Sequence, residues 1–144
     1  MIPTAASVAP ARATKAVLIV DDEPAIVRML RDALGVFRHE HAYKVETAAD
    51  GIDALDAMKR DHFDVVLLDM HMGRMGGLEV LEHMKRMQLR TPVLMLTGND
   101  DAKASADAIS HGILAYVPKP FDLLKLEHLI SLAVSSHADS TKTA

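Results

Sequence analysis

The chain has 144 residues, 49% of them hydrophobic, with a formal charge of −4 at pH 7 and no cysteine. That length suits one ordinary domain with a single core, and aromatics at only 3% leave the core to Leu, Ile, Val, Met and Ala. The acidic balance argues against broad nucleic-acid binding, the missing thiols exclude disulfides and thiolate metal sites and fit a reducing cytoplasm, and no apolar run approaches the roughly 18 residues of a membrane span.

Residues 1–14 are rich in Ala, Pro and Thr and lack the continuous apolar stretch of a signal peptide. They read as a disordered leader to a domain over 15–134. Residues 16–20 (AVLIV) form a short apolar run suited to a strand buried on both faces. Pro24 then opens a helical stripe of Ile26, Met29, Leu30, Ala33 and Leu34. A longer connection over 36–42, holding His39 and His41 as loop residues, leads to 43–48 (YKVETA), which alternates like an edge strand. Asp50 is placed to cap a second helix with the stripe Ile52, Leu55 and Met58.

Residues 63–68 (FDVVLL) are the third strand, and Leu78, Leu81 and Met84, broadened by Val80, the third helix. Residues 93–96 (VLML) are the fourth strand. Residues 101–110 (DAKASADAIS) are helix-like but poor in large apolar side chains, so that helix should be weakly held. Residues 114–117 (LAYV) are the fifth strand, and Asp122 caps a last helix carrying Leu126, Leu129, Ile130 and Ala133. Residues 135–144 (SSHADSTKTA) read as a disordered tail. Five strands alternating with five helices over short connections make a doubly wound α/β domain.

Open parallel sheets bind ligands beyond the carboxyl ends of their strands. After the first strand come Asp21 and Asp22, after the third Asp69, after the fourth Thr97, and after the fifth Lys119 and Pro120. Each has a plain structural explanation on its own: an N-cap, a loop residue, a turn residue, a solvated cation. Together they are harder to dismiss, because clustered carboxylates repel one another unless a cation joins them. A hard divalent ion that prefers oxygen is the natural partner, and Mg²⁺ fits best, with Mn²⁺ able to substitute. A carboxylate can itself be a nucleophile toward phosphorus, with metal and ammonium neutralising the transferred group.

These residues resemble the receiver domain of two-component response regulators, the chemotaxis-type fold. The matching pieces are VLIVDDEPAI (17–26), TAADG (47–51), DVVLLDMHM (64–72), GLEVL (77–81), PVLMLTG (92–98) and YVPKPF (116–121). The resemblance implies a flavodoxin-like parallel sheet of five strands in the order 2-1-3-4-5 with five helices. It implies Asp69 as phosphoacceptor, and Asp21, Asp22, Asp69 and the backbone carbonyl of His71 as metal ligands. Thr97 and Lys119 would bind the phosphoryl oxygens, Thr97 and Tyr116 would be switch residues, and the Lys119–Pro120 bond would be cis. Such a protein is a cytoplasmic phosphorelay switch, not an enzyme in its own right. Its partners are a sensor histidine kinase or histidine phosphotransfer protein and a downstream protein target, with no direct role for nucleic acid or membrane.

One departure is that Gly73 stands where family members often have proline. With Gly76 and Gly77 nearby, that loop is expected to be unusually mobile. This bears on how long the phosphoryl group lasts, not on whether it forms. The His71 side chain reads as a rim residue. An aspartyl phosphohydrolase of the haloacid-dehalogenase type would want Asp-x-Asp after the first strand, and the chain has Asp21-Asp22-Glu23-Pro24. A flavin or nucleotide site would want a phosphate-binding loop there. A pseudo-receiver scaffold would have lost part of the acidic set, which is intact. With no output domain in these residues, a stand-alone receiver is expected; the rival is a receiver excised from a larger regulator or hybrid kinase.

Overall fold

A computed structural model describes residues 13–37, 41–98, 109–110 and 112–143, with side chains through Ser135. The elements are β1 (Ala13–Val20), α1 (Pro24–Val36), β2 (His41–Ala48), α2 (Gly51–Arg60), β3 (Val65–Asp69), α3 (Gly77–Arg86), β4 (Val93–Thr97), β5 (Ala115–Pro118) and α4 (Leu123–Thr143). The five strands form one parallel sheet in the order β2-β1-β3-β4-β5. This is the doubly wound fold that the apolar runs implied, in the flavodoxin-like strand order that the family resemblance implied.

The alternation of side chains along a strand divides the core in two. Leu18, Val20, Val66, Leu68 and Met95 pack with Ala54, Leu55, Met58, Val80, Leu81 and Met84 of α2 and α3. Val17, Ile19, Val65, Leu67, Leu94 and Leu96 pack with Leu30, Ala33 and Leu34 of α1 and with Leu126, Ile130 and Ala133 of α4. The central strands β3 and β4 are buried at every position, so they read as continuous apolar runs and carry no alternation of their own.

Pro24 starts α1 at a position where its missing N–H costs nothing. Asp50 caps α2 by accepting from the Asp53 N–H at 2.9 Å, and one oxygen of Asp122 accepts from the N–H groups of Leu124 and Lys125 at the head of α4.

Several boundaries differ from the sequence expectation. β1 begins at Ala13, inside the expected leader, because Ala13 and Thr14 pair with His41 and Ala42 of β2. His41 is therefore a strand residue, not a loop residue; His39 lies outside the described residues. β3 starts at Val65, since Asp64 turns its carboxylate back to accept from the Ala16 N–H at 2.8 Å. α4 runs through Thr143, over most of the stretch expected as a tail, because no Gly or Pro follows Leu123 to stop it. The expected helix over 101–110 lies outside the described residues apart from Ile109 and Ser110, which are helical; four helices are described in full.

Candidate functional site

The carboxyl ends of β1, β3, β4 and β5 carry the polar groups. Asp69 and Thr97 are the last residues of β3 and β4, not the first residues after them. The backbone ladder continues one step past the strands. The Asp21 N–H donates to the Ala48 carbonyl at 3.1 Å, that of Met70 to Leu96 at 3.0 Å, and that of Lys119 to Thr97 at 2.8 Å. These bonds fix the side chains at this edge to the sheet itself.

Asp21, Asp69 and Thr97 are buried, while Asp22 is exposed at the rim. Asp21, Asp22 and Asp69 each bring a carboxylate oxygen within 4.8 Å of the others. The ammonium of Lys119 lies 3.4 Å from Asp21 Oδ2, 3.6 Å from Asp69 Oδ1 and 3.7 Å from Glu23 Oε1. The Lys119–Pro120 peptide is cis. Asp21 Oδ1 also accepts the Glu23 N–H at 2.9 Å, and Asp69 Oδ1 accepts the His71 N–H at 3.4 Å. The His71 side chain is exposed, and Tyr116 is half-buried against the core that faces α2 and α3.

The electrostatics are those of an acid cluster short of positive charge. Burial pushes the Asp69 carboxyl above its ordinary range, the Asp21 charge pushes it further, and Lys119 only partly opposes them. Burial likewise raises Asp21, against the pull of the Glu23 N–H and Lys119. Burial draws the Lys119 ammonium down, but Asp69, Asp21 and Glu23 outweigh it and hold it above the usual lysine value. The donor set is all oxygen, carboxylate-rich and open to water on the Asp22 side. That fits a hard divalent cation such as Mg²⁺ or Mn²⁺ better than a softer metal such as Zn²⁺ or Cu²⁺, which would want His or Cys.

The loop from β3 to α3 presses on this cluster. The Gly77 N–H donates to the Met70 carbonyl at 3.0 Å, and a Cβ on Gly77 would lie 2.6 Å from the Asp69 carbonyl oxygen. Arg74 donates from Nε and Nη2 to Asp50 Oδ2 at 2.7 and 2.6 Å. The Gly51 N–H donates to the Met75 carbonyl at 3.2 Å. The loop expected to be mobile is thus tied to the start of α2. Sequence reading missed Arg74, Asp50 as its partner, and Glu23. The available signals were a lone cation in a glycine-rich loop and a third acid directly after Asp21-Asp22.

Comparison with known proteins decides the family. The model of the response regulator receiver domain matches residues 17–131. The chain belongs to the response regulator receiver family. This receiver is 35% identical over 118 residues to the regulatory protein AtoC of Escherichia coli K12, covering 82% of this chain and 25% of that one. It is 36% identical over 110 residues to the response regulator MprA of Mycobacterium avium, covering 76% of this chain and 46% of that one. It therefore spans between a quarter and a half of the curated relatives it matches.

Among solved structures, the receiver superposes on a CheY-like receiver domain protein of Methanospirillum hungatei with a TM-score of 0.80 at 26% identity, over 89% of this chain and 99% of that one. It also matches the chemotaxis protein CheY4 of Vibrio cholerae, with a TM-score of 0.74 at 32% identity, over 84% and 99% of the two chains. Its place in two-component signalling follows from the family. Among the described residues, no helix is long and apolar enough to cross a membrane.

Proposed function

We propose that this receiver is a cytoplasmic phosphoacceptor switch, in which Asp69 takes a phosphoryl group from a histidine kinase or histidine phosphotransfer protein with Mg²⁺ bound, and the change reshapes a protein-binding face. The observation that carries the reading is the convergence of the Asp21, Asp22 and Asp69 carboxylates within 4.8 Å beside the Lys119 ammonium. Asp21, Asp22, Asp69 and the His71 backbone carbonyl are the groups that would hold Mg²⁺, with Mn²⁺ as a substitute. When bound, the ion neutralises charge on the transferring phosphoryl oxygens.

The protein residues do the rest. A carboxylate oxygen of Asp69 forms the new bond to phosphorus. The P–N bond of the donor phosphohistidine breaks, its electron pair stays on the imidazole nitrogen, and the imidazole takes up a proton. The Lys119 ammonium, 3.6 Å from Asp69, moves onto a phosphoryl oxygen and balances charge. Thr97, next to Leu96 in the register opposite Asp69, offers a hydroxyl to another. The receiver assists its own phosphorylation and dephosphorylation and turns over no separate substrate.

A phosphoryl group brings about −1.5 to −2 charges to the site. Hydrogen bonds to charged groups contribute roughly 1.5–3 kcal/mol each, and converting a 1:99 equilibrium to 99:1 takes about 5.5 kcal/mol. Lys119 already serves three carboxylates, so only the excess of its new bond over those counts toward switching. Thr97 is the second contact of the switch, and Tyr116, three residues before Lys119, reports it by turning inward. NMR with beryllofluoride, an aspartyl-phosphate mimic, tests this. Amides from Gly112 to Tyr116 should shift together with those beside Asp69, and Thr97→Ala should suppress the distant shifts. Shifts confined to the neighbours of Asp69, or distant shifts that survive Thr97→Ala, contradict the switch.

A further inference from the structure

Seven residues separate Asp69 from Gly77, and they include Gly73 where the family pattern often has proline. Gly73 restricts its own backbone little, and a Cβ there would meet no atom within 4 Å. Yet the stretch carries the His71 N–H that reaches Asp69 Oδ1. Its bracing comes from across the fold. Arg74 places two guanidinium nitrogens on one oxygen of Asp50, at 2.7 and 2.6 Å, and a third contact reaches Asp53 at 3.6 Å.

The other oxygen of Asp50 is already fixed by the Asp53 N–H, as the cap of α2. The acceptor is thus held in place before the arginine arrives. The Asp53 N–H, and after it the Arg74 guanidinium, keeps the Asp50 carboxyl below its usual range. Gly51, adjoining Asp50, closes the contact. Its N–H bonds the Met75 carbonyl, and a Cβ there would lie 2.6 Å from Val80 and 2.7 Å from Met75. Met72 and Met75 add apolar packing, but methionine adapts its shape readily and sets no direction.

We infer that the Arg74–Asp50 pair is a latch that positions the His71 segment over Asp69, and so sets both the affinity for Mg²⁺ and the lifetime of the phosphoryl group. Arg74 touches neither ion nor phosphoryl group; it is a positioning residue. The inference rests on the reading of Asp69 as phosphoacceptor and of the His71 carbonyl as a metal ligand. With the latch shut, the segment whose His71 N–H reaches Asp69 Oδ1 stays beside the cluster, where its carbonyl would be presented to the ion. With it open, the glycine-rich segment swings, the carbonyl is presented part of the time, and hydrolysis quickens.

The test uses the full chain with Mg²⁺ alone and then with acetyl phosphate. Arg74→Ala should weaken Mg²⁺ binding, and shorten the phosphoryl half-life, by about two- to fivefold each, the range that an ion pair with one exposed partner sustains. In the metal-free protein it should speed hydrogen exchange at the Gly51 and Gly77 amides, with little change at Leu67. Arg74→Lys should recover part of each effect, since it keeps the charge but not the fork. Asp50→Asn, which still caps α2, should reproduce Arg74→Ala, and the double variant should be no worse than either alone. A wild-type chain that shows no response to Mg²⁺ overturns the proposed function and this inference together. A wild-type response that Arg74→Ala leaves unchanged, or fully additive effects of the two substitutions, overturns the latch alone.

Discussion

Strand β3 holds two kinds of buried residue side by side. Val65, Val66, Leu67 and Leu68 are wholly buried among apolar neighbours, and Asp69 is almost as buried at the strand end. Removing the first four from water favours the folded state. Removing the last opposes it, as the upward push of burial on its carboxyl shows. The same contrast holds between Val20, the last residue of β1, and Asp21 just after it. The sheet interior stabilises the fold, and its carboxyl rim spends part of that stability to keep carboxylates dry and close together. Groups held in such a state bind cations and electrophiles better than the same groups in water.

The largest effect expected from breaking this division lies in the interior. Leu67→Ala should cost roughly 2–5 kcal/mol of unfolding free energy, measured by urea denaturation, because Leu67 is fully enclosed on the α1–α4 side of the sheet. A loss below about 1 kcal/mol would mean that the interior collapses around the cavity and is not the rigid support described. Next comes the boundary between the regions. Gly77→Ala drives a methyl toward the Asp69 carbonyl oxygen and Met70 Cα, at 2.6 and 3.0 Å, both backbone atoms that cannot swing away. It should destabilise by about 1–3 kcal/mol and slow labelling of Asp69 as well. Normal labelling in Gly77→Ala would show that the rim tolerates displacement of β3.

The smallest effect has the opposite sign. Without Mg²⁺ at neutral pH, Asp69→Asn or Asp21→Asn should raise the thermal midpoint by a few degrees, since each removes a charge that folding disfavours. The folded carboxyl values lie above the ordinary 3.8. Their contribution to stability is therefore complete below that value and is lost as pH rises through the folded values. The advantage of Asp69→Asn over the wild type should thus shrink as pH falls from neutral toward 3.8. Lys119 works at the other end: its folded value lies above the ordinary 10.5. Its contribution is present at neutral pH and is lost only as pH rises past that ordinary value toward the folded one. A wild type more stable than Asp69→Asn in the absence of metal would contradict the account of a rim held at a cost.

These two regions differed in how plainly the sequence displays them. The interior is legible because strands buried on both faces must be apolar throughout, as in AVLIV and VLML. The site residues are legible because each follows an apolar run, so their convergence comes from the sheet order and needs no knowledge of side-chain packing. Helix faces were less certain. Ala54 and Ala57 are buried while Ile52 sits at the rim of α2, because close approach of α2 to the sheet and to α3 favours small residues. The Arg74–Asp50 pair joins residues 24 apart, and no local pattern announces a contact made only when β3 and α2 come together. The ends of β1 and α4 were hidden for a related reason. Pairing with β2 extends β1 back to Ala13, and the absence of a helix breaker carries α4 on to Thr143.

The claim that the rim exists to accept a phosphoryl group on Asp69 is tested most directly by intact-protein mass spectrometry. The wild type and Asp69→Asn would be incubated with acetyl phosphate, each with and without Mg²⁺. The wild type with Mg²⁺ should gain the mass of one phosphoryl group, lose most of that gain when the metal is removed beforehand, and show none of it as Asp69→Asn. Full labelling of Asp69→Asn, or labelling of the wild type that is indifferent to Mg²⁺, would contradict it.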